Sequence, residues 1–234
     1  MAKKQVIQSG KIDFDIQIRT PKNWTPKQEE LIKIALNNKT KAIFIKGPAG
    51  VSKTYVAVYC ALELLRSKKI SDLILIRSAV ESGDSKLGFL PGTLDEKIGA
   101  YMIPFQDKFE ELLSESTIKA LIKHDAVKNI PVNYIRGNHW AAKAIIVDEA
   151  QNLVKKEFLT ILTRAGEFSK IFILGDPTQS DLPSSKDGAF NEMWDLFSDE
   201  ESKKAGVHTF EFDEADIIRS EFVKFILEKF KQKK

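Results

Sequence analysis

Residues 42–54 read AIFIKGPAGVSKT, and this stretch decides the fold of the chain. It begins with an uncharged apolar run of the kind found in strands buried on both faces. Residues 47–54 then fit the phosphate-loop pattern G-x-x-x-x-G-K-[ST] at seven of eight positions. Glycines in such a loop let backbone N–H groups converge on an anion, and the following helix points its positive end at it. The stretch therefore predicts a phosphate site between a strand and a helix.

Single residues of this loop have predicted roles. Lys53 would reach the terminal phosphates of a nucleotide, and the Thr54 hydroxyl would complete the shell of a Mg²⁺ ion. Ser52 departs from the pattern, and its Cβ would crowd the phosphates or resist the backbone angles that glycine allows. The alternative is a turn with an incidental lysine. The predicted nucleotide-binding residues are Gly47, Pro48, Ala49, Gly50, Val51, Ser52, Lys53 and Thr54.

Short apolar runs alternate with helical segments along the rest of the chain. Segments 53–67 and 153–165 are long enough for crossover helices, so the order of elements predicts βαβ units and a mainly parallel sheet. Further strands buried on both faces are predicted at residues 73–76, 132–135, 144–147 and 171–174. The remaining predictions are a half-buried strand at 13–19, a helix that starts at Thr25-Pro26, a strand at 210–212 and a helix at 215–230.

Length and composition limit the class of protein. At roughly 150 residues per domain, 234 residues allow one large domain or two small ones. Hydrophobic residues make up 43% and charged residues 29%, which excludes disordered, collagen-like and disulfide-rich chains. Lys and Arg (36) barely exceed Asp and Glu (33), so net charge alone does not indicate nucleic acid. We expect an appendage at residues 1–40 and an α/β domain at residues 41–234.

The sequence also favours a particular compartment. No apolar run approaches the ~18 residues that span a bilayer, so no membrane partner is expected. The polar residues after Met1 do not resemble a secretory signal. The single cysteine, Cys60, cannot form an internal disulfide, which favours the reducing cytoplasm.

Two later strands end in polar residues. Because ligands collect at the carboxyl ends of parallel strands, Asp148 would emerge beside the phosphate loop and hold Mg²⁺. Side chains alternate along a strand, so Glu149 would point elsewhere and polarise the attacking water. Gln179, beyond the run at 171–174, would sit at the γ-phosphate and report hydrolysis; a plain polar turn is the alternative.

Eight segments in order resemble the PhoH family, relatives of the superfamily-one helicases with a single RecA-like motor domain. They include LGFLPG at residues 87–92, which generic phosphate-loop proteins lack. The fold class implied is α/β, a RecA-like P-loop NTPase with a mainly parallel sheet flanked by helices. The matching segments are residues 47–54, 77–81, 87–92, 134–137, 147–152, 162–164, 175–183 and 216–219.

This resemblance implies ATP binding and hydrolysis with Mg²⁺. Gln28 resembles the adenine-reading glutamine of the helicase relatives. Arg77, Ser78 and Arg136 match positions that contact a nucleic-acid backbone, so RNA or single-stranded DNA is the implied partner. The chain departs from the family where Ser78 replaces a proline and where residues 138–139 are Asn-His instead of Arg-Thr.

A helicase-type motor needs an arginine at the γ-phosphate, usually supplied by a second motor domain. The chain is too short for two such domains, so the arginine acts in cis or comes from a neighbouring subunit. Arg219 and Arg164 are the candidates. A homo-oligomeric ring would supply the arginine in trans, and the PhoH resemblance implies a hexamer.

Three functions remain open on the sequence. The leading one is a Mg²⁺-dependent ATPase coupled to RNA or single-stranded DNA, with possible helicase activity. The second is a degenerate nucleotide sensor with little hydrolysis, marked by Ser52. The third is an assembly protein whose ring is stabilised by nucleotide.

Overall fold

The computed structural model describes residues 12, 14–21, 23–77, 105–135, 137, 139–180, 182, 188–217 and 225. One parallel sheet contains all the strands in this part of the chain, in the order β3-β2-β4-β5-β1-β6. These strands are β1 (Ala42–Lys46), β2 (Asp72–Arg77), β3 (Val127–Asn129), β4 (Lys143–Asp148), β5 (Lys170–Gly175) and β6 (Val207–Glu211). The predicted fold class, a RecA-like P-loop domain with a parallel sheet, is confirmed.

Helices connect the strands and cover the sheet. Helix α1 starts where the sequence predicts, because the Thr25 side chain and Gln28 form a capping box and Pro26 occupies the first turn. The helices are α1 (Pro26–Leu36), α2 (Lys53–Arg66), α3 (residues 105–112), α4 (Glu115–Lys123), α5 (Lys155–Leu162), α6 (Phe190–Leu196) and α7 (Glu200–Ala205). In the described residues, no helix is long and apolar enough to cross a membrane.

Apolar clusters lie on both faces of the sheet, as the unbroken apolar runs predict. On β1, Ile43 and Ile45 pack into a cluster with α1 and α2, whereas Phe44 enters the opposite cluster. There its ring lies 6.3 Å from Phe158 and 6.4 Å from Phe190. Helix α1 shares its buried cluster with the sheet, and the domain boundary at residue 40 stays a prediction.

Two predicted strands are wrong. Residues 132–134 form a 3₁₀ turn after Pro131, with Tyr134 65% exposed, and the sheet edge is instead β3. Described residues 14–19 form no strand, although Ile16 is buried. Their alternation reflects side chains lying on the first cluster, and Arg19 N–H donates to the Leu112 carbonyl 2.7 Å away.

The C-terminal predictions are partly shifted. Strand β6 begins at Val207, three residues before the predicted start, and ends one residue before Phe212. The predicted helix at 215–230 begins in a 3₁₀ turn, Glu214–Asp216, and most of its remaining residues lie outside the described part.

Candidate nucleotide site

The phosphate loop joins β1 to α2 at the carboxyl-terminal edge of the sheet. Ser52 has φ 66° and ψ 29°, the left-handed conformation that glycine adopts easily, so the serine accepts the backbone angles that the loop requires. Helix α2 starts at Lys53, which leaves its first N–H groups without partners inside the helix and its positive end at the loop.

Two loop residues serve packing rather than ligand contact. A Cβ at Gly47 would lie 2.8 Å from the Phe212 Cβ, so only glycine allows the chain after β6 to pass so closely. Val51 is fully buried in the cluster of α1 and α2. These two contacts fix the ends of the loop against the core.

The Lys53 ammonium lies across the loop. Its Nζ donates to the carbonyl oxygens of Gly47 at 2.6 Å and Pro48 at 2.9 Å. Burial lowers the pKa of Lys53, while the nearby carboxylates of Asp176, Asp148 and Glu149 act in the opposite direction. A partly desolvated cation attracts an anion more strongly than one in water.

Asp148 and Thr54 place three oxygens side by side. The Thr54 hydroxyl lies 3.4 Å from each Asp148 carboxylate oxygen, and Asp148 Oδ1 accepts from the Glu149 N–H at 3.1 Å. Asp148 is only 8% exposed. Burial and, to a smaller extent, the Glu149 charge raise the pKa of Asp148 to about 6. The hydrogen bond from the Glu149 N–H and the charges of Arg77 and Lys53 act in the opposite direction. The site thus holds an excess of buried negative charge.

Glu149 lines the same cavity as Asp148, and its role as the residue that polarises the attacking water stays a prediction. Strand β4 ends at Asp148, and Glu149 takes a left-handed backbone, φ 55° and ψ 37°, which redirects its side chain. Its Oε2 accepts from Gln151 Nε2 at 2.7 Å, and its Oε1 lies 3.7 Å from Arg77 Nη2.

The sequence reading missed Gln151, which joins three parts of the site. Its Nε2 donates to Glu149 and to the Gln179 carbonyl at 3.2 Å, and its Oε1 accepts from the Asp176 N–H at 3.1 Å. An amide two residues after the acidic pair was the available signal, but nothing in one sequence tells which strand end it reaches.

A second missed residue is Asp176, which is buried at the end of β5. Its Oδ1 accepts from the Thr178 N–H at 3.1 Å and from the Thr178 hydroxyl at 2.6 Å. Among the described residues, its Oδ2 has no hydrogen-bond partner. A buried oxygen without a partner is costly, and such atoms mark places where a ligand, ion or water completes the structure.

One cavity of about 510 Å³ connects these groups. Gln28 also lines it, with its Oε1 accepting from the Thr25 N–H at 3.1 Å, so the capping box that starts α1 also fixes the amide in the cavity. The predicted site residues on the cavity wall are Gln28, Ala49, Gly50, Ser52, Lys53, Thr54, Asp148, Glu149 and Gln179.

The predicted arginines are not all brought together. Arg77 lies beside Glu149. Arg164 lies at the amino-terminal edge of the sheet, away from the phosphate loop. Its carbonyl accepts from the N–H of Trp140 at 2.9 Å, and Trp140 is three residues before the start of β4. Arg164 therefore does not reach the phosphate loop of its own chain. Ser78, Arg136 and Arg219 lie outside the described residues.

The donor set fits a magnesium nucleotide. Thr54 and Asp148 offer hard oxygen ligands of the type Mg²⁺ prefers, together with the phosphates it accompanies. Asp176, whose Oδ2 is buried, also lines this cavity, close enough for its charge to act on Lys53. The N–H groups of the loop and Lys53 complement the charge of a triphosphate, and the Gln28 amide can form hydrogen bonds with the edge of a nucleotide base.

A family model described as PhoH-like protein matches residues 20–231 of the chain. The chain belongs to the PhoH family. It is 36% identical over 186 residues to the PhoH-like protein of Mycobacterium tuberculosis, covering 80% of this chain and 51% of that protein. Against the Bacillus subtilis PhoH-like protein the identity is 34% over 195 residues, covering 83% and 60%. The chain thus spans about half the length of the first curated relatives it matches.

Among solved structures, the chain resembles a Pif1 helicase from Candida albicans. The TM-score is 0.41 at 16% identity, covering 82% of this chain and 40% of that one. This likeness is too distant to support an inference about activity. Family membership and the loop geometry together make the chain a nucleotide-binding P-loop protein.

Proposed function

We propose that this PhoH-family chain is a Mg²⁺-dependent ATPase whose turnover is coupled to RNA or single-stranded DNA. The observation that carries the proposal is the single cavity lined by Lys53, Thr54, Asp148, Glu149 and Gln179. Each of these groups has a distinct task in transferring a terminal phosphoryl group to water. The proposed ATPase domain spans residues 41–234, and the appendage, residues 1–40, supplies Gln28.

The residues divide the chemistry between them. Glu149 accepts a proton from the attacking water as the water oxygen bonds to the terminal phosphorus and the ADP oxygen leaves. Lys53 and the N–H groups of the loop stabilise the charge on the phosphoryl oxygens, and Gln179 orients the water. Bound Mg²⁺, held by Thr54 and Asp148, would neutralise phosphate charge.

The test is ATP turnover of Glu149→Gln, which keeps size and hydrogen bonding but removes the base. We expect a loss of about 10²- to 10⁴-fold. Glu157→Gln is the matched control, because Glu157 caps α5 by accepting from the Val154 N–H and does not line the cavity. Unchanged turnover in Glu149→Gln would refute the assigned base.

Coupling to a nucleic acid is supported by the family and by Arg77 at the carboxyl edge of the sheet. Turnover should be measured without nucleic acid, with RNA and with single-stranded DNA, each at two salt concentrations. Stimulation that weakens as salt rises is expected, because phosphate contacts release counterions. Equal turnover in all of these conditions would refute the coupling. Where stimulation is found, a strand-displacement assay decides whether the chain unwinds a duplex.

Assembly into a ring is the remaining part of the proposal. Since Arg164 lies at the edge away from its own phosphate loop, it would serve only a neighbouring subunit; Arg219 is the other candidate in cis or in trans. The mass in solution with and without ATP tests this, with a hexamer expected. The proposed location is the cytoplasm, because the single cysteine of the chain, Cys60, cannot form an internal disulfide.

A further inference from the structure

Arg77 and Glu149 meet at the boundary between two strands of the sheet. In the β2–β4 pairing, Arg77 stands opposite Asp148, so the residue after Asp148 comes within reach of its guanidinium. Arg77 Nη2 lies 3.7 Å from Glu149 Oε1, with side chains 34% and 38% exposed. The proposed base is therefore paired with a cation that solvent can reach.

The two oxygens of Glu149 are held unequally. Oε2 accepts a hydrogen bond of 2.7 Å from Gln151, whose own position is fixed by Gln179 and Asp176. At 3.7 Å, Oε1 and Arg77 form an ion pair too long for a hydrogen bond. Gln151 is itself held by two further hydrogen bonds, so its contact with Glu149 is fixed. The part-exposed ion pair between Arg77 and Glu149 is weaker, and Arg77 can leave it for another anion.

An arriving phosphodiester offers Arg77 a better partner. A guanidinium presents a planar fork of donors that binds phosphate oxygens bidentately, which the 3.7 Å contact with Glu149 does not achieve. Once Arg77 has turned to a phosphate, Glu149 would keep only its Gln151 hydrogen bond and be free on the other oxygen to accept a proton.

We propose that Arg77 is a positioning residue that restrains Glu149 until a phosphate of single-stranded nucleic acid takes its guanidinium. This proposal rests on the proposed ATPase function and deepens it, because it names the contact through which strand binding raises turnover. By linkage, whatever frees Arg77 from Glu149 must also strengthen binding of the strand.

That reciprocity gives a test that needs no turnover. Binding of fluorescent oligouridylate and oligothymidylate, about 20 nucleotides long, is measured by anisotropy without ATP. We expect Glu149→Gln to tighten binding about fivefold and to lose this gain when combined with Arg77→Gln. Glu111→Gln, which removes one charge from the same cavity wall, is the control for general electrostatics. An equal gain in Glu111→Gln, or a gain that survives Arg77→Gln, overturns the proposal.

Turnover supplies the second readout. Arg77→Gln should raise turnover without nucleic acid about three- to tenfold, leave the KM for ATP within about twofold and abolish stimulation by the strand. Arg77→Lys, which keeps the charge, should restore the low basal rate. A lowered basal rate in Arg77→Gln would mean that Arg77 acts on ATP itself, and an unchanged rate would mean that it only binds the strand; either result overturns the proposal.

If the wild type hydrolyses no ATP, the proposed function fails, while the binding cycle still decides whether Arg77 is paired with Glu149.

Discussion

The two edges of the sheet use buried charge in opposite ways. At the amino-terminal edge, Lys143 pairs with buried Asp72, and the Lys170 ammonium donates to the Ala35 carbonyl and to the Asn37 carbonyl at 2.8 Å. At the carboxyl-terminal edge, the carboxylates of Asp148, Glu149 and Asp176 surround one lysine, Lys53. The first arrangement supplies each lysine with a partner within the chain, and the second leaves negative charge that an external cation would balance.

Left-handed residues occur near both edges, but their settings differ. Lys68 and Asp125 follow the ends of α2 and α4, where such a conformation commonly terminates a helix. Ser52 and Glu149 have the same backbone beside the nucleotide cavity. At the second edge these strained residues line the cavity, whereas Lys68 and Asp125 follow helix ends. The edges should respond differently to the same substitution.

The largest expected effects come from replacing one lysine at each edge, Lys53 and Lys170, by methionine. Lys53→Met should reduce ATP turnover about 10²- to 10³-fold, because it removes a preorganised donor to the phosphates. Lys170→Met should leave turnover per folded molecule nearly unchanged, because Lys170 lies at the amino-terminal edge, where it donates to the Ala35 and Asn37 carbonyls. The loss of these hydrogen bonds is opposed by removal of a buried charge, since burial lowers the pKa of Lys170 to about 8, so the free energy of unfolding should change by less than about 1 kcal/mol.

Urea unfolding and steady-state turnover of the two variants check this pair. If Lys170→Met loses turnover while remaining as stable as the wild type, the amino-terminal edge contributes to the site and the contrast fails. If Lys53→Met retains turnover, the cavity is not the place of hydrolysis.

Asp148 provides the next largest effect, this time on stability. Burial holds its pKa at about 6, above the ordinary 3.8, so the native state pays to carry the charge at neutral pH. Asp148→Asn should therefore raise the free energy of unfolding at pH 7.5 by about 2 to 3 kcal/mol while abolishing Mg²⁺-dependent turnover.

The sign of the pH dependence checks the cause. Between pH 3.8 and about 6 the native protein holds a proton that the unfolded chain has lost, so this residue lowers stability as pH rises through that window. The increase in the free energy of unfolding caused by Asp148→Asn should be small near pH 3.8 and complete above about pH 6. Urea unfolding in the presence of EDTA measures it, and a gain that is equal at all pH values would exclude burial of the charge as the reason.

The sequence predicted those parts of the site that depend on spacing along the chain. The loop 47–54 and the strand ending at Asp148 each carry their function in consecutive residues, and a parallel sheet brings strand ends to one edge. The Gln151 bridge and the Arg77–Glu149 pair depend on strand order, which one sequence does not contain. The wrong strand at 132–135 failed for a related reason: its apolar residues follow Pro131, and the paired segment is the less apolar β3.

Gln151 tests whether the carboxyl edge works as a connected unit. Gln151→Ala removes the donor to Glu149 and leaves the Asp176 N–H without its acceptor, so we expect turnover to fall about tenfold with little change in the KM for ATP. Gln106→Ala, which removes an exposed amide that donates to Glu110 Oε1 at 2.8 Å, is the matched control. A change in KM without a change in kcat would place Gln151 in binding rather than in positioning the base.

Ser52 carries the smallest expected effect and decides between the motor and the sensor. Its left-handed backbone costs a residue with a Cβ about 1 to 2 kcal/mol, and its side chain makes no cap hydrogen bond, so Ser52→Gly should raise the free energy of unfolding by about 0.5 to 1 kcal/mol after the entropy of glycine is counted. Ser67→Gly is the control, because Ser67 follows the same helix with φ −77° and offers no such relief.

Because Ser52 already has the backbone conformation that the loop requires, the ATP turnover of Ser52→Gly should differ from that of the wild type by less than about twofold. A rise of tenfold or more would instead show that the serine side chain blocks the phosphates and that the natural chain is a nucleotide sensor.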